Sequence, residues 1–131
     1  MRNQGIINPQ LCAVIAGLGH TETIVIADSG LPIPAQVKCI DLSLTYGTPS
    51  FLDVLKAVEA ELCIESYTVA EEMAVDNPDM LNKTRGILSG KPENRIPHSV
   101  FKEKTAESRA VIRTGENTPY SNVILKAGVV F

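Results

Sequence analysis

The chain has two histidines, His20 and His98, each in a setting that suits proton transfer or hydrogen bonding. His20 lies in GLGHTETIVIADSG (17–30), between a glycine able to end a helix and a β-branched run that closes on Asp28. An imidazole with an unperturbed pKa of about 6.5 can give and take protons at neutral pH. A ring just past a helix end also suits the negative pole of the helix dipole, so a capping role is the simpler alternative. Asp28 enters SGLPIP, where Gly30, Pro32 and Pro34 fix the backbone. Its carboxylate can close a turn on its own backbone or accept from a ligand. His98, in RIPHSVF, follows a proline and precedes a serine suited to an N-cap, so it is expected to be fixed and partly exposed.

The densest polar run is RTGENTPYSN (113–122). Gly115, Asn117 and Pro119 would allow a plain solvated turn. Arg113, Glu116, Tyr120 and Asn122 also combine a flat amphipathic ring with amide and carboxylate groups able to bond several hydroxyls, a set that suits a sugar. Other chemistries recede. No H-x-x-x-H or His–Asp spacing on one element suggests a metal site. No G-x-x-x-x-G-K cradle or G-x-S-x-G elbow is present. Cys12, Cys39 and Cys63 are odd in number and never in a C-x-x-C pair, so they are expected to be buried small apolar residues, with no disulfide framework.

These residues must be carried by regular elements. Asn8-Pro9, Thr48-Pro49 and Asn77-Pro78 each pair a capping residue with proline at a first helical position. The first helix shows the stripe Leu11, Val14, Ile15, Leu18 before Gly17 and Gly19 end it. The second carries Phe51, Leu55, Val58 and Leu62; the third carries Leu81 and Leu88 and stops at Gly90. A short fourth helix is expected from Ser99. Five apolar, β-branched runs read as strands: 23–28, 37–42, 65–72, 109–115 and 122–131. Several are apolar at consecutive positions, as in strands covered on both faces. The pattern predicts one α/β domain over residues 1–131, with three α/β/α layers about a mostly parallel or mixed sheet. KAGVVF ends the chain without a polar tail, and is expected either as a strand of the protein's own sheet or against a neighbouring subunit.

Hydrophobic residues make up 44% of the 131 positions, enough for one core. The net charge is −3 with no run of either sign, which argues against a nucleic-acid partner. No signal-peptide h-region and no eighteen-residue apolar run occur, so neither export nor a membrane span is expected, and the cytoplasm is the expected location. Ligands of open α/β sheets sit at the carboxyl ends of strands, which selects Asp28. At about 3.3 Å per residue, His20 and Asp28 lie some 25 Å apart along the run. Either they serve different sites, or the loop before the strand folds back, or two subunits bring opposite strand ends together.

Four stretches in order, GIINPQL (5–11), GLGHTETIVIADSGLPIP (17–34), IDLSLTYGTPSF (40–51) and AVIRTGENTPYSNVILKAGVVF (110–131), resemble the D-ribose pyranases, sugar mutarotases related to the L-fucose mutarotases. Residues 64–97 carry less of the likeness. ADSGLP and RTGE-x-TPY-x-N look like the ribose branch. The resemblance implies that His20 is the catalytic acid and that Asp28, His98, Tyr120, Ser121 and Asn122 bind the sugar. It further implies interconversion of β-pyranose and β-furanose D-ribose without metal or other cofactor, in a cytosolic homodecamer of two pentameric rings with the site at a subunit boundary. The competing readings are a non-catalytic sugar-binding or transport-accessory protein, and a mutarotase of another aldose such as L-fucose.

Overall fold

The computed structural model describes residues 1–131. Asn8 Oδ1 accepts from the Leu11 N–H at 2.9 Å and opens α1 (Pro9–Gly17), whose Leu11 is buried. β1 (Thr23–Ala27) follows, then the edge strand β2 (Lys38–Asp41). α2 (Phe51–Glu59) starts later than Thr48-Pro49 implies. Ser50 Oγ accepts from the Asp53 N–H at 3.1 Å and the Glu116 carboxylate accepts from the Phe51 N–H at 3.1 Å. Two first-turn donors, orphaned in any helix, are thereby satisfied with the start at Phe51.

β3 (Ile64–Ala70) is shorter than the expected 65–72 strand, because Glu71, Glu72 and Met73 are good helix formers and begin α3 (Glu71–Asp76). α4 (Pro78–Ile87) has proline at its first position as expected, but the Asn77 side chain does not cap it. β4 (Glu93–Ile96) and α5 (His98–Thr105) follow. The serine-capped start expected for α5 is replaced by the Glu72 carboxylate, which accepts the His98 N–H at 2.9 and 3.1 Å. β5 (Ala110–Arg113) and β6 (Val123–Ala127) complete the chain. The last strand ends at Ala127, and Val130 and Phe131 are exposed instead of continuing the sheet.

The six strands form one mixed sheet in the order β2-β5-β1-β6-β3-β4. β1 runs parallel to β5 and antiparallel to β6, β2 parallel to β5, and β3 parallel to β4 and antiparallel to β6. Every strand except β6 therefore points the same way. Side chains alternate across the sheet. Ile24, Ile26, Ile112 and Leu125 meet α1 to α4 on one face, through Leu11, Phe51, Leu55 and Leu81. Val25, Ala27, Val111 and Ile124 meet Phe101 of α5 and the loop residues Leu31 and Val37 on the other. This is the three-layer α/β/α arrangement in a single domain.

The cysteines depart from expectation. Cys39 and Cys63 are exposed and Cys12 is half-buried, with all three thiols free. Cys39 sits on the edge strand, where only Ile40 is buried, and Cys63 lies in the turn entering β3. Burial pushes the Cys39 thiol up, with nearby Arg113 opposing. No helix is long and apolar enough to cross a membrane.

Candidate active site

The parallel strands deliver their carboxyl ends to one edge of the sheet, and the amino end of β6 arrives there too. Four of the five proposed sugar-binding positions lie in residues that flank β1 and β6, joined by the Ile26↔Val123 register. Asp28 and Asn122 lock together across 94 residues. Asn122 Nδ2 donates to Asp28 Oδ2 at 2.9 Å, and the Asp28 N–H donates to Asn122 Oδ1 at 2.8 Å. Asp28 Oδ1 also takes the Gly30 N–H at 3.0 Å, so the turn-forming reading of this aspartate holds beside any ligand role. Asn122 is only 1% exposed.

Tyr120 adopts a left-handed backbone, φ 57°, and its carbonyl accepts the Asn122 N–H at 2.8 Å. That bend carries the chain from the 113–119 loop into β6. Ser121 is fully buried, with its hydroxyl 2.8 Å from Thr118 Oγ1, which donates to Glu116 Oε1 at 3.0 Å. Asn77, read from sequence as a helix cap, turns instead to this loop. Its Nδ2 donates to the Pro119 carbonyl at 2.9 Å and lies 3.1 Å and 3.2 Å from the Thr118 and Ser121 hydroxyls.

His98 joins this edge from β4. Its ring meets Tyr120 edge-on at a centroid distance of 5.0 Å and stacks on Phe101 at 6.2 Å. As expected it is held and half-buried, with Glu72 gripping its backbone. Its Nδ1 is buried without a hydrogen-bond partner, an uncommon state for a polar ring atom. Asp28, Ser29, Gly30 and residues 116–119 line an open cleft of about 330 Å³ beside this cluster.

Arg113 and Glu116 are scaffold groups of the loop. Arg113 donates to Asp41 Oδ2 at 2.9 Å. A hydrogen bond from Ser43, aided by Arg113, holds the Asp41 carboxyl below the usual carboxylate range. Glu116, 6% exposed, caps α2 through Phe51, and its backbone carbonyl takes the Ser29 N–H at 2.8 Å. It ties the Asp28 loop, the 113–122 loop and α2 into one unit. Asn77, Glu72 and Thr118 carry no local sequence signal for these roles, because their partners are 26 to 44 residues away or are fixed only by the loop's fold.

His20 lies at the opposite edge, before β1. It does not cap α1, where the Leu18 N–H meets the Ile15 carbonyl and the His20 ring turns to Glu65 instead. Its Nε2 lies 3.2 Å from Glu65 Oε1, and Lys126 Nζ lies 2.9 Å from Glu65 Oε2. Hydrogen bonds from Lys126 and then His20 lower the Glu65 pKa. Within one chain His20 and Asp28 therefore occupy opposite ends of β1, and the loop before the strand does not fold back to join them. No group of three or more His, Cys, Asp or Glu side chains converges as metal ligands would.

Relatives named D-ribose pyranase from Bacillus cytotoxicus and Geobacillus kaustophilus are 50% and 52% identical over the whole of this chain, covering 100% and 96% of their own lengths. The structure of Bacillus subtilis RbsD complexed with D-ribose is 43% identical and matches the whole of both chains at a TM-score of 0.97. The fucose mutarotase of Streptococcus pneumoniae in complex with L-fucose shares the fold, with a TM-score of 0.83 at 24% identity over 95% of each chain. Residues 1–130 match the RbsD / FucU transport protein family, and the chain belongs to it.

Proposed function

We propose that this protein is a cofactor-independent mutarotase that interconverts the β-pyranose and β-furanose forms of D-ribose in the cytoplasm. The observation that carries the reading is the polar and aromatic cluster of Asp28, Asn122, Tyr120, Ser121 and His98 on one sheet edge, in a chain whose match to the ribose complex of RbsD is complete in length. The Asp28 carboxylate at the cleft and the half-buried Tyr120 and His98 rings suit sugar hydroxyls, while buried Asn122 and Ser121 hold Asp28 and the loop in place.

Ring interconversion needs proton movement and nothing more. The anomeric hydroxyl gives up its proton to solvent water as His20 delivers one to the ring oxygen, the bond from the anomeric carbon to that oxygen breaks, and the open aldehyde results. A different hydroxyl then adds to the aldehyde carbon, and the protons return. No electron pair leaves the sugar, and the product is an isomer. General acid catalysis of this kind contributes about 10²–10⁴-fold. His20 is half-exposed, 49%, and so is open to a substrate instead of sealed in the core.

Because His20 stands at the far edge from the binding cluster, the site is read as shared between subunits. Exposed Leu44 and Tyr46 flank the Asp28 edge, and exposed Val130 and Phe131 flank the His20 edge. Apolar groups at both ends suit a head-to-tail contact, the kind that closes into rings. A decamer of two five-membered rings is the assembly we infer. Exchange NMR on D-ribose tests the function: the protein should accelerate pyranose–furanose exchange, and binding without acceleration would favour the sugar-binding, transport-accessory reading. Equal acceleration of L-fucose would shift the substrate, since a pentose pocket should discriminate against the added methyl group.

A further inference from the structure

We propose that Glu65 is the positioning residue for His20, fixing the imidazole as the Nε2–H tautomer so that Nδ1 is the nitrogen that exchanges protons with the sugar. This rests on the reading of His20 as the catalytic acid. The Glu65 carboxylate is held ionised by Lys126 and can only accept, so its 3.2 Å contact with Nε2 requires a proton on that nitrogen. In the imidazolium both nitrogens carry protons. Delivery of the Nδ1 proton to the ring oxygen then leaves the neutral tautomer that Glu65 already binds, and the reverse transfer restores the cation.

Three backbone features converge on this contact. Ile64 pairs with Ala127 and Ser66 with Lys126, so Glu65 is the extra residue of a β-bulge, a device that re-aims a side chain. Gly128 makes room for it: a Cβ there would meet Glu65 Cβ and N at 3.3 Å, while the Gly128 N–H donates to the Cys63 carbonyl at 2.8 Å. Thr21, next to His20, has φ 71°, a costly conformation for a β-branched residue, and its N–H is pinned to the Ala127 carbonyl at 2.9 Å. A bulge and a strained turn thus meet at β6 to align two side chains that are 49% and 40% exposed. Exposed pairs add little to stability, so fold maintenance does not account for the arrangement. The remaining charges near the ring are accounted for: Glu22 takes the Gly19 N–H at 2.8 Å and pairs with Arg109 at 3.4 Å, leaving Glu65 and Lys126 as the groups that face His20.

Long-range ¹H–¹⁵N spectra of the full-length protein labelled at histidine resolve the ring nitrogens of only two residues. In the unsubstituted protein, neutral His20 should be the Nε2–H tautomer. In Glu65→Ala that bias should vanish. The kcat for ribose exchange should fall about tenfold, while the KM for ribose stays within about twofold. An unchanged tautomer in Glu65→Ala, or an unchanged kcat, would overturn the proposal. Full ribose exchange activity in His20→Ala would instead overturn the role of His20, and the tautomer spectra would still report the Glu65 contact separately.

Discussion

Asp28 uses one carboxylate oxygen to close its own turn on Gly30 and the other to receive the Asn122 amide, so its position is fixed by the chain's own contacts. Asp28→Asn would set one amide against another and remove a charged acceptor. Charged hydrogen bonds are worth about 1.5–3 kcal/mol, so the apparent KM for ribose should rise about 10–100-fold in exchange kinetics. Asn122→Ala should also cost about 1–3 kcal/mol in denaturant unfolding, because the Asp28 N–H loses its partner at a buried position. The sequence makes Asp28 readable as a turn former and strand-end acceptor from its neighbours alone. Its pairing with Asn122 is not readable that way, since only the β1–β6 register joins residues 94 apart. The exposure of Cys39 and Cys63 escapes the sequence for a related reason: apolar character says a residue can be buried, while its place at an edge or turn decides whether it is.

Glu116 shows how one buried carboxylate coordinates three segments, and how a loop can set the start of a helix. Capping chemistry is written at Thr48-Pro49-Ser50, but the choice of Phe51 as first residue depends on a carboxylate 65 positions downstream. β4 was missed because ENRI is a polar edge strand without an apolar run, and α3 was missed because its helix formers directly continue the β-branched run of β3. The clearest test of the loop packing is Gly115→Ala. A Cβ there would lie 2.4 Å from the Thr45 and Thr48 carbonyl oxygens, which are backbone atoms that cannot swing away. Such a clash should cost about 2–4 kcal/mol in unfolding and loosen the 113–122 loop. A second test concerns β4. Glu93 receives Arg85 at 2.8 Å, Arg95 at 2.7 Å and the Tyr67 hydroxyl at 3.0 Å. Arg85 above all holds the Glu93 carboxyl down at about 2, while burial and then Glu93 push the Tyr67 phenol up to about 12. A lowered carboxylate pKa stabilises the fold fully above its unfolded value of 4.5, and that contribution is lost as pH falls towards 2. With Arg85 and Arg95 partly exposed and screened, the loss should be about 1–2 kcal/mol, and Glu93→Gln should flatten the acid slope of stability over that window.

Five strands run one way and β6 runs against them, so one edge gathers Asp28, His98 and the 113–122 loop while the other gathers His20, Glu65 and Lys126. The alternation of helices and apolar strands made the layered α/β class readable. The reversal of β6 was not, because a strand buried on both faces looks the same in either direction. The separation of His20 from Asp28 was readable from strand length alone, and it leads to a test of the assembly. His20→Ala and Asp28→Asn subunits, each impaired alone, should recover activity when unfolded and reassembled together. If each site takes one edge from each of two neighbours, random mixing at equal amounts restores about one quarter of the sites. A site contained in one chain would give no recovery. The most direct measurement remains the exchange rate of D-ribose between its β-pyranose and β-furanose forms, followed by NMR with the unsubstituted protein and with His20→Ala. Clear acceleration by the first and a loss of about 10²–10⁴-fold in the second are expected. An exchange rate equal to that of ribose in buffer, with the unsubstituted protein folded and present, would contradict this.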